Sequence, residues 1–160
     1  MNMPEPAAGR DVDHLAETAD QVAAAMLDRT LPKVEWTHEA HVLVCISLVR
    51  RHGDIDALHV LRSAIPAYNE ATGVANTATG GYHDTITAYY VWAVQRLVAD
   101  GEDTASILAH RTTSRTALFE YWDRDSLMSP LARRGWLEPT VSAAGTVAPT
   151  ESVQPDLFST

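Results

Sequence analysis

The stretch THEAHVLVCISLVRRHG, residues 37 to 53, decides the fold because it carries a whole helix together with both of its ends. Thr37 is a residue type that caps helix N-termini, and Gly53 is typical of the position where a helix stops. The apolar run inside the stretch, residues 42–49, is far too short to cross a lipid bilayer. The stretch therefore predicts a helix that packs against the core of a globular protein.

Apolar residues keep a helical spacing on both sides of this stretch. Further helices are predicted from about residue 11 to 28, from 54 onward, over 83–100, from 103 or 104 onward, over 113–122 and, as a short turn, over 129–136. Pro66 lies within the third helical pattern, so we expect it to kink that helix or to end it early.

No segment alternates polar and apolar residues for long enough to predict a strand. We therefore predict an all-α protein, a single-domain helical bundle of about five to six helices over residues 11–138. Residues 1–10 carry two prolines and a glycine, and residues 139–160 are mostly small or polar. Both ends are predicted to be flexible tails.

The composition limits the classes of partner. The chain has 160 residues, 46% of them hydrophobic, and a formal net charge of −9 at pH 7. No basic stripe is present, so we expect no nucleic-acid partner. The single cysteine, Cys45, excludes an intrachain disulfide and fits a reducing compartment. The acidic N-terminus lacks the apolar segment of a signal peptide, so we expect a cytoplasmic protein without membrane contact, and a homodimer is plausible at this size.

Three histidines stand near predicted helix starts. At about 100° per residue, His38, His41 and Cys45 fall within about 60° of one another on the second predicted helix. His83 heads an apolar stripe on the fourth predicted helix, which also includes Thr87 and Tyr90. If these two helices are neighbours, the three imidazoles converge inside the bundle.

A helix N-terminus and burial both favour the neutral imidazole, which is the form that a metal ion or a general base requires. We therefore predict that His38, His41 and His83 bind a divalent transition metal, with Zn, Fe, Cu and Ni all compatible. Glu39 and Asp84 directly follow histidines, and are predicted to assist catalysis as ligands or orienting groups.

The residues around the histidines supply further candidates. Tyr82 is a candidate catalytic phenol. Trp36 either packs as half of a hydrophobic staple or forms a pocket wall, and Asn76 either orients a substrate or forms a turn. Tyr68 is a candidate for contact with a substrate. Arg62 interrupts the apolar side of the third helix, where it either holds an anionic substrate group or is solvated.

Several motifs that would name a reaction are missing. The sequence has no phosphate-binding glycine loop of either common type. HEAH (38–41) has one residue too few between its histidines for a zincin site, and no nucleophile-elbow serine occurs.

The motifs WTHEAH (36–41), YNEATGVANT (68–77) and GYHDTIT (81–87) together resemble a family of small, uncharacterised bacterial all-α proteins. Asp84 stands where the family motif more often has glutamate, which shortens the reach of the carboxylate by one methylene. SPLARRGWLEP (129–139) is similar to the closing segment of that family. The resemblance covers about residues 30 to 140. It implies no reaction, but it implies that one site contains Trp36, His38, His41, Asn76, Tyr82, His83 and Asp84.

Three functions are compatible with these observations. The first is an enzyme whose metal polarises a carbonyl, activates water or binds oxygen in a small organic substrate, as in a biosynthetic tailoring step. The second is a metal-free isomerase, cyclase or lyase in which a neutral histidine is the general base and Asp84 orients it. The third is a ligand-binding or interaction protein whose histidines are structural.

Overall fold

The computed structural model describes residues 8–142 and 147–152, with side chains described from residue 15 onward. Its α-helices, α1 to α7 in chain order, are Ala8–Leu27, His38–His52, Asp54–Ala71, Asp84–Ala99, Thr104–Ala109, Arg124–Leu127 and Pro130–Arg134. Three 3₁₀ turns are Lys33–Glu35, Arg111–Thr113 and Ala117–Glu120. These described ranges contain no strand, so the predicted all-α class is confirmed, with four long helices forming the bundle.

Helix α2 lies at the centre of the bundle, where it contacts α1, α3, α4 and α5. Every residue from 42 to 49 is buried, so this helix has no solvent-facing side along its middle. Burying one Val, Leu or Ile side chain stabilises the fold by about 1.5–3 kcal/mol, which makes this run a large contribution to the core. The one hydroxyl in the run, on Ser47, donates to Asp20 Oδ1 of α1 at 2.6 Å and is therefore satisfied.

The predicted helix ends are confirmed where a capping residue marked them. Thr37 Oγ1 accepts a hydrogen bond from Ala40 N at 3.2 Å, and α2 ends at Gly53 with a φ of 80°. Asp103 and Ser129 cap α5 and α7 in the same way. Each cap satisfies a backbone N–H that the first helical turn leaves without a partner.

Helix α3 does not end early at Pro66 but continues to Ala71. The residues beyond the proline, Tyr68 and Asn69, are buried, and their packing holds the last turn in place. The carbonyl of Pro66 also accepts a hydrogen bond from Asn76 Nδ2 at 3.0 Å, which ties the following loop to the helix.

The helix predicted over residues 113–122 is wrong, since the chain here forms two 3₁₀ turns, Arg111–Thr113 and Ala117–Glu120, with extended Ser114 and a turn between them. Three carbonyls at the start of this region accept hydrogen bonds from side chains of the long helices. The carbonyls of residues 112, 113 and 114 accept from Tyr89 Oη, His38 Nε2 and Tyr90 Oη, at 2.8, 2.7 and 2.8 Å. This irregular segment is thereby fastened across α2 and α4, and it completes one side of a cavity.

Part of the predicted C-terminal tail contacts the helical domain. The N–H groups of Thr140 and Val141 both donate to the carbonyl of Tyr121 at 2.9 Å. Farther along, Ser152 Oγ donates to Asp54 Oδ2 of α3 at 2.8 Å. The remainder of the two predicted tails, residues 1–7, 143–146 and 153–160, lies outside the described residues. In the described part of the chain, no helix has both the length and the apolar character that crossing a membrane requires.

Candidate functional site

A mostly apolar cavity of about 390 Å³ opens between the start of α2, α3, the start of α4 and residues 115–128. Small-molecule pockets in proteins have volumes of about 300–1,000 Å³, so this one has room for a compact ligand. Its apolar wall is made by Trp36, Cys45, Leu61, Ile65, Ile86, Leu118, Phe119 and Met128. We call it the two-histidine cavity, because its polar lining residues are His38, His41, Thr87, Tyr90 and Arg115.

His38 and His41 lie three residues apart on one face of α2, and each is held by one backbone carbonyl. His38 Nε2 donates to Thr113 O and His41 Nδ1 donates to Thr37 O, both at 2.7 Å. Because a carbonyl oxygen only accepts, each ring carries a proton on that nitrogen. The opposite nitrogens, Nδ1 of His38 and Nε2 of His41, have no hydrogen-bond partner among the described residues. In the neutral ring each of these nitrogens is a lone-pair acceptor, as a general base or a metal ligand must be.

The electrostatics of the cavity keep His41 neutral. Burial lowers its pKa below the ordinary value of 6.5, and the neighbouring His38 and Arg115 lower it further, against the opposing effect of the hydrogen bond to Thr37. Burial also raises the pKa of the Cys45 thiol to about 12, so this cysteine packs as an unionised side chain. The basic groups of the cavity are therefore imidazoles and not a thiolate.

Trp36 forms part of the cavity wall and stacks on His41, with ring centroids 3.7 Å apart and ring planes inclined by 30°. Trp36 therefore does both things that the sequence allowed. It packs against the first turn of α2, and its ring also forms part of the cavity wall. Tyr68 lies behind it, at a centroid distance of 5.3 Å. The Tyr68 side chain is fully buried and its hydroxyl donates to Leu31 O at 2.8 Å, so it supports Trp36 and does not reach the cavity.

His83 is directed away from the two-histidine cavity, although α2 and α4 are neighbours. Its Nε2 donates to Leu127 O at 2.7 Å, and its Nδ1 accepts from Ile86 N at 3.2 Å. The ring thus caps α4 and joins it to α6, and neither nitrogen is available for another ligand in this geometry. Burial lowers the pKa of His83, which agrees with a neutral ring that makes both bonds.

Arg62, Tyr82, Asp84 and Glu151 form a second polar group, which we call the Asp84 cluster. Arg62 binds both carboxylate oxygens of Asp84 at 2.9 and 3.0 Å, and Tyr82 Oη donates to Asp84 Oδ1 at 2.7 Å. Glu151 pairs with the same guanidinium. Burial, together with the nearby Asp84, raises the pKa of Tyr82, and the hydrogen bond to Asp84 raises that of Arg62. The four groups satisfy one another, and none of them lines the two-histidine cavity.

Asn76 joins the loop 72–83 to α3. Its Oδ1 accepts from Asn69 Nδ2 and from Tyr82 N, both at 3.0 Å, and its Nδ2 donates to Pro66 O. Gly81 passes so close to this side chain that a Cβ would lie 2.8 Å from Asn76 Oδ1. The role of Asn76 in this geometry is therefore to fix the turn before α4.

Glu39, the other predicted catalytic carboxylate, is exposed on the first turn of α2 and does not line the cavity. Of the residues that the motif resemblance placed in one site, the structure thus brings together Trp36, His38 and His41. Those of the GYHDTIT motif, Tyr82, His83 and Asp84, lie in a different environment with partners of their own.

The predicted metal ligands do not form a cluster in this geometry. Across the residues whose side chains are described, no group of three or more His, Cys, Asp or Glu side chains is arranged to hold a metal ion. His38 and His41 each keep one nitrogen suited to a metal, and His83 would have to break its bonds to Leu127 and Ile86 to join them. Metal binding stays a prediction.

Arg115 is the main cavity residue that sequence patterns do not reveal. It lies in the segment for which a helix is predicted, together with Leu118 and Phe119, and its place in the cavity lining depends on the irregular path of that segment. Tyr90 and Thr87 belong to the His83 stripe, and they line the cavity although His83 does not. In the sequence Arg115 stands between Ser114 and Thr116, and this local pattern does not indicate a cavity residue.

We compared the chain with protein-family models, with curated proteins and with solved structures, and none of them matches it. The function is therefore inferred from the geometry of the chain itself.

Proposed function

We propose that this protein is a small cytoplasmic enzyme that transfers a proton in a compact organic substrate, with His38 and His41 as its acid–base residues. An isomerisation, a cyclisation or an elimination in a biosynthetic pathway would use this chemistry. The substrate would enter the two-histidine cavity and place its reacting atom against the imidazoles.

One observation carries this proposal. Two imidazoles line the same cavity, and each has its N–H tied to a backbone carbonyl at 2.7 Å while its other nitrogen has no partner among the described residues. A carbonyl that holds the N–H fixes the tautomer and the ring orientation, which is how a general base is positioned. A histidine with only a packing role has no need of an open nitrogen on a cavity surface.

The lowered pKa of His41 supports the role of base for this residue. At neutral pH the ring is unprotonated and ready to accept a proton at Nε2. The proton then returns from His41 Nε2 to a second atom of the substrate, so the isomerisation needs no other reactant. The apolar wall would exclude water and so strengthen each polar contact.

A metal-dependent reaction is the second candidate, because the two open imidazole nitrogens are also suitable donors for Zn, Fe, Cu or Ni. Two protein ligands are fewer than the three that catalytic zinc sites usually have, and the third predicted ligand, His83, is engaged elsewhere. For this reason we place the acid–base reaction first.

Solvent deuterium provides a test that works while the substrate is still unidentified. The full chain is incubated in D₂O with a small-molecule extract from bacterial cells, and the extract is analysed by mass spectrometry for compounds that gain deuterium or change structure. We expect at least one compound to be labelled by the wild-type protein. His41→Gln should reduce the labelling rate by about 10²- to 10⁴-fold, the usual contribution of a general base.

His59→Gln is the matched control, because His59 is exposed on α3 and does not line the two-histidine cavity. This variant should label the same compound at the wild-type rate. Wild-type protein that labels and converts no compound would contradict the enzyme proposal. Binding of a compound without labelling or conversion would favour the ligand-binding alternative.

Elemental analysis separates the two catalytic candidates. Protein without a tag, purified without chelator, is compared with His41→Ala and His83→Ala. Near-stoichiometric metal in the wild type that is lost in His41→Ala would make the metal-dependent reaction the working hypothesis. Wild-type protein that stays metal-free after reconstitution would leave the acid–base reaction as the candidate.

A further inference from the structure

Arg115 is the only charged residue among those that line the two-histidine cavity. Its side chain is exposed at the edge of the cavity, and it has no ion pair or hydrogen bond with any residue that the structure describes. Its charge acts on the cavity interior, since it contributes to the lowered pKa of His41. A guanidinium in this position, without a partner among the described residues, is available to bind a ligand in the cavity.

The other polar groups of the cavity have their hydrogens engaged. The hydroxyls of Thr87 and Tyr90 donate to backbone carbonyls at 2.9 and 2.8 Å, and the N–H groups of His38 and His41 donate likewise. Arg115 is therefore the strongest donor left for a ligand. The imidazoles offer acceptors to the same ligand, so the cavity combines one cationic donor, two imidazole acceptors and an apolar wall.

We infer that the substrates of this cavity are small carboxylates with an apolar body, an inference that rests on the proposed function. The planar fork of an arginine matches a carboxylate with two parallel hydrogen bonds. One arginine balances the single charge of a carboxylate, whereas a phosphate group at neutral pH carries more charge than this cavity can neutralise. The chain has a net charge of −9, which repels an anion at long range, so the attraction for a carboxylate must come from the guanidinium at the cavity itself.

The volume of the cavity limits the size of the acid. A volume of 390 Å³ corresponds to roughly a dozen water molecules at about 30 Å³ each. A ring or a short alkyl chain with one carboxylate fits this space. The apolar body would pack on Leu61, Ile65 and Phe119, with the carboxylate at Arg115.

Calorimetric titration of the full chain with matched acids and amides tests the inference. The probes are phenylacetate, indole-3-acetate and hexanoate, each paired with its neutral carboxamide of nearly the same shape. We expect at least one acid to bind about tenfold more tightly than its amide at low salt. Higher ionic strength should weaken the acid and leave the amide unchanged. In Arg115→Gln the ratio of the two affinities should fall to about one.

Arg134→Gln is the control, because Arg134 is an exposed arginine of α7 that does not line the cavity. This variant changes the net charge equally and should keep the tenfold preference. Equal binding of acid and amide to the wild type would overturn the inference, and so would a preference that survives Arg115→Gln. Binding of none of the six compounds would also overturn it. In each of these cases the deuterium experiment decides independently whether the proposed function stands.

Discussion

The two histidine motifs look alike in the sequence and differ completely in their surroundings. His38 and His41 each keep one ring nitrogen without a partner on a cavity surface, whereas both nitrogens of His83 are bound by backbone groups of other residues. The carboxylate beside His83 is paired as well, because Asp84 accepts three hydrogen bonds from Arg62 and Tyr82. The comparison teaches that the partners of a ring nitrogen, and not the motif, distinguish a candidate catalytic histidine from a structural one.

The Asp84 cluster gives the largest expected effect on stability. Arg62→Met removes the guanidinium and leaves a buried carboxylate with Tyr82 as its remaining partner. Removing one member of a buried pair costs about 3 kcal/mol or more, so urea denaturation should show a loss of that size. Arg51→Met is the control, because the pair of Arg51 with Asp20 is exposed and should contribute under about 1 kcal/mol. Equal losses in both variants would contradict the structural role of the cluster.

The next largest effect compares the histidines directly. His83→Ala removes a helix cap and leaves the carbonyl of Leu127 without its donor, so we expect a loss of about 2–3 kcal/mol in the free energy of unfolding. His41→Ala removes one hydrogen bond and the stacking on Trp36, and should cost about 1 kcal/mol. For ligand binding to the two-histidine cavity we expect the opposite order, with the larger loss in His41→Ala and the smaller loss in His83→Ala. If His41→Ala proved the more destabilising of the two, the contrast between the motifs would be lost.

A smaller effect is expected at the turn that precedes His83. Gly81 has a φ of 77°, and a Cβ there would lie 2.5 Å from Ala75 O. Gly81→Ala should therefore cost about 2 kcal/mol by thermal or urea denaturation. Gly73→Ala is a matched comparison, since Gly73 has a φ of 83° but open space around its Cβ. It should cost about 1 kcal/mol, so that the difference between the two variants measures the close approach alone.

The smallest effect is a pH dependence of stability. His83 and His41 both have a folded-state pKa below the ordinary value of 6.5, with burial as the first cause. Well above pH 6.5 both rings are neutral in the folded and unfolded states, so they contribute no pH dependence of stability there. Below it, the unfolded chain binds protons that the folded chain does not. The free energy of unfolding should therefore decrease as the pH is lowered below 6.5, by at most about 1.4 kcal/mol per pH unit for each ring.

His83→Asn keeps a side chain that can cap α4 and removes one of the two titrating rings. Its stability should therefore change less steeply between pH 6.5 and 5 than that of the wild type. An unchanged slope would mean that His83 is already solvated in the folded protein. Asp20, whose pKa is lowered by a hydrogen bond from Ser47, acts at a lower pH, near 3.8 and below.

Residues with local partners made the fold predictable. Thr37, Gly53 and Asp103 act within a few residues of their own position, so their types predicted where helices begin and end. The prediction for the segment 113–122 was wrong because its first two carbonyls, Thr113 O and Ser114 O, bind the side chains of His38 and Tyr90 far away in the sequence. No local pattern contains that information.

The candidate site was likewise predictable only where its residues lie on one helix. The helical period placed His38 and His41 on one face, and the structure agrees. The orientation of His83 depends on Leu127, 44 residues away, which no spacing rule reveals. Arg115 joins the cavity only through the path of the irregular segment, so its role became visible in three dimensions.

The stacking of Trp36 on His41 gives the cavity an optical probe of its own. Trp36 is the only one of the four tryptophans that lines the cavity, and its ring lies 3.7 Å from an imidazole. A change in the charge of that imidazole, or the entry of a guest molecule, alters the surroundings of the indole and hence its fluorescence. The difference in emission between the wild type and Trp36→Phe isolates this signal. Ligand binding and protonation in the cavity can then be followed by tryptophan fluorescence, without an added dye and before any product is known.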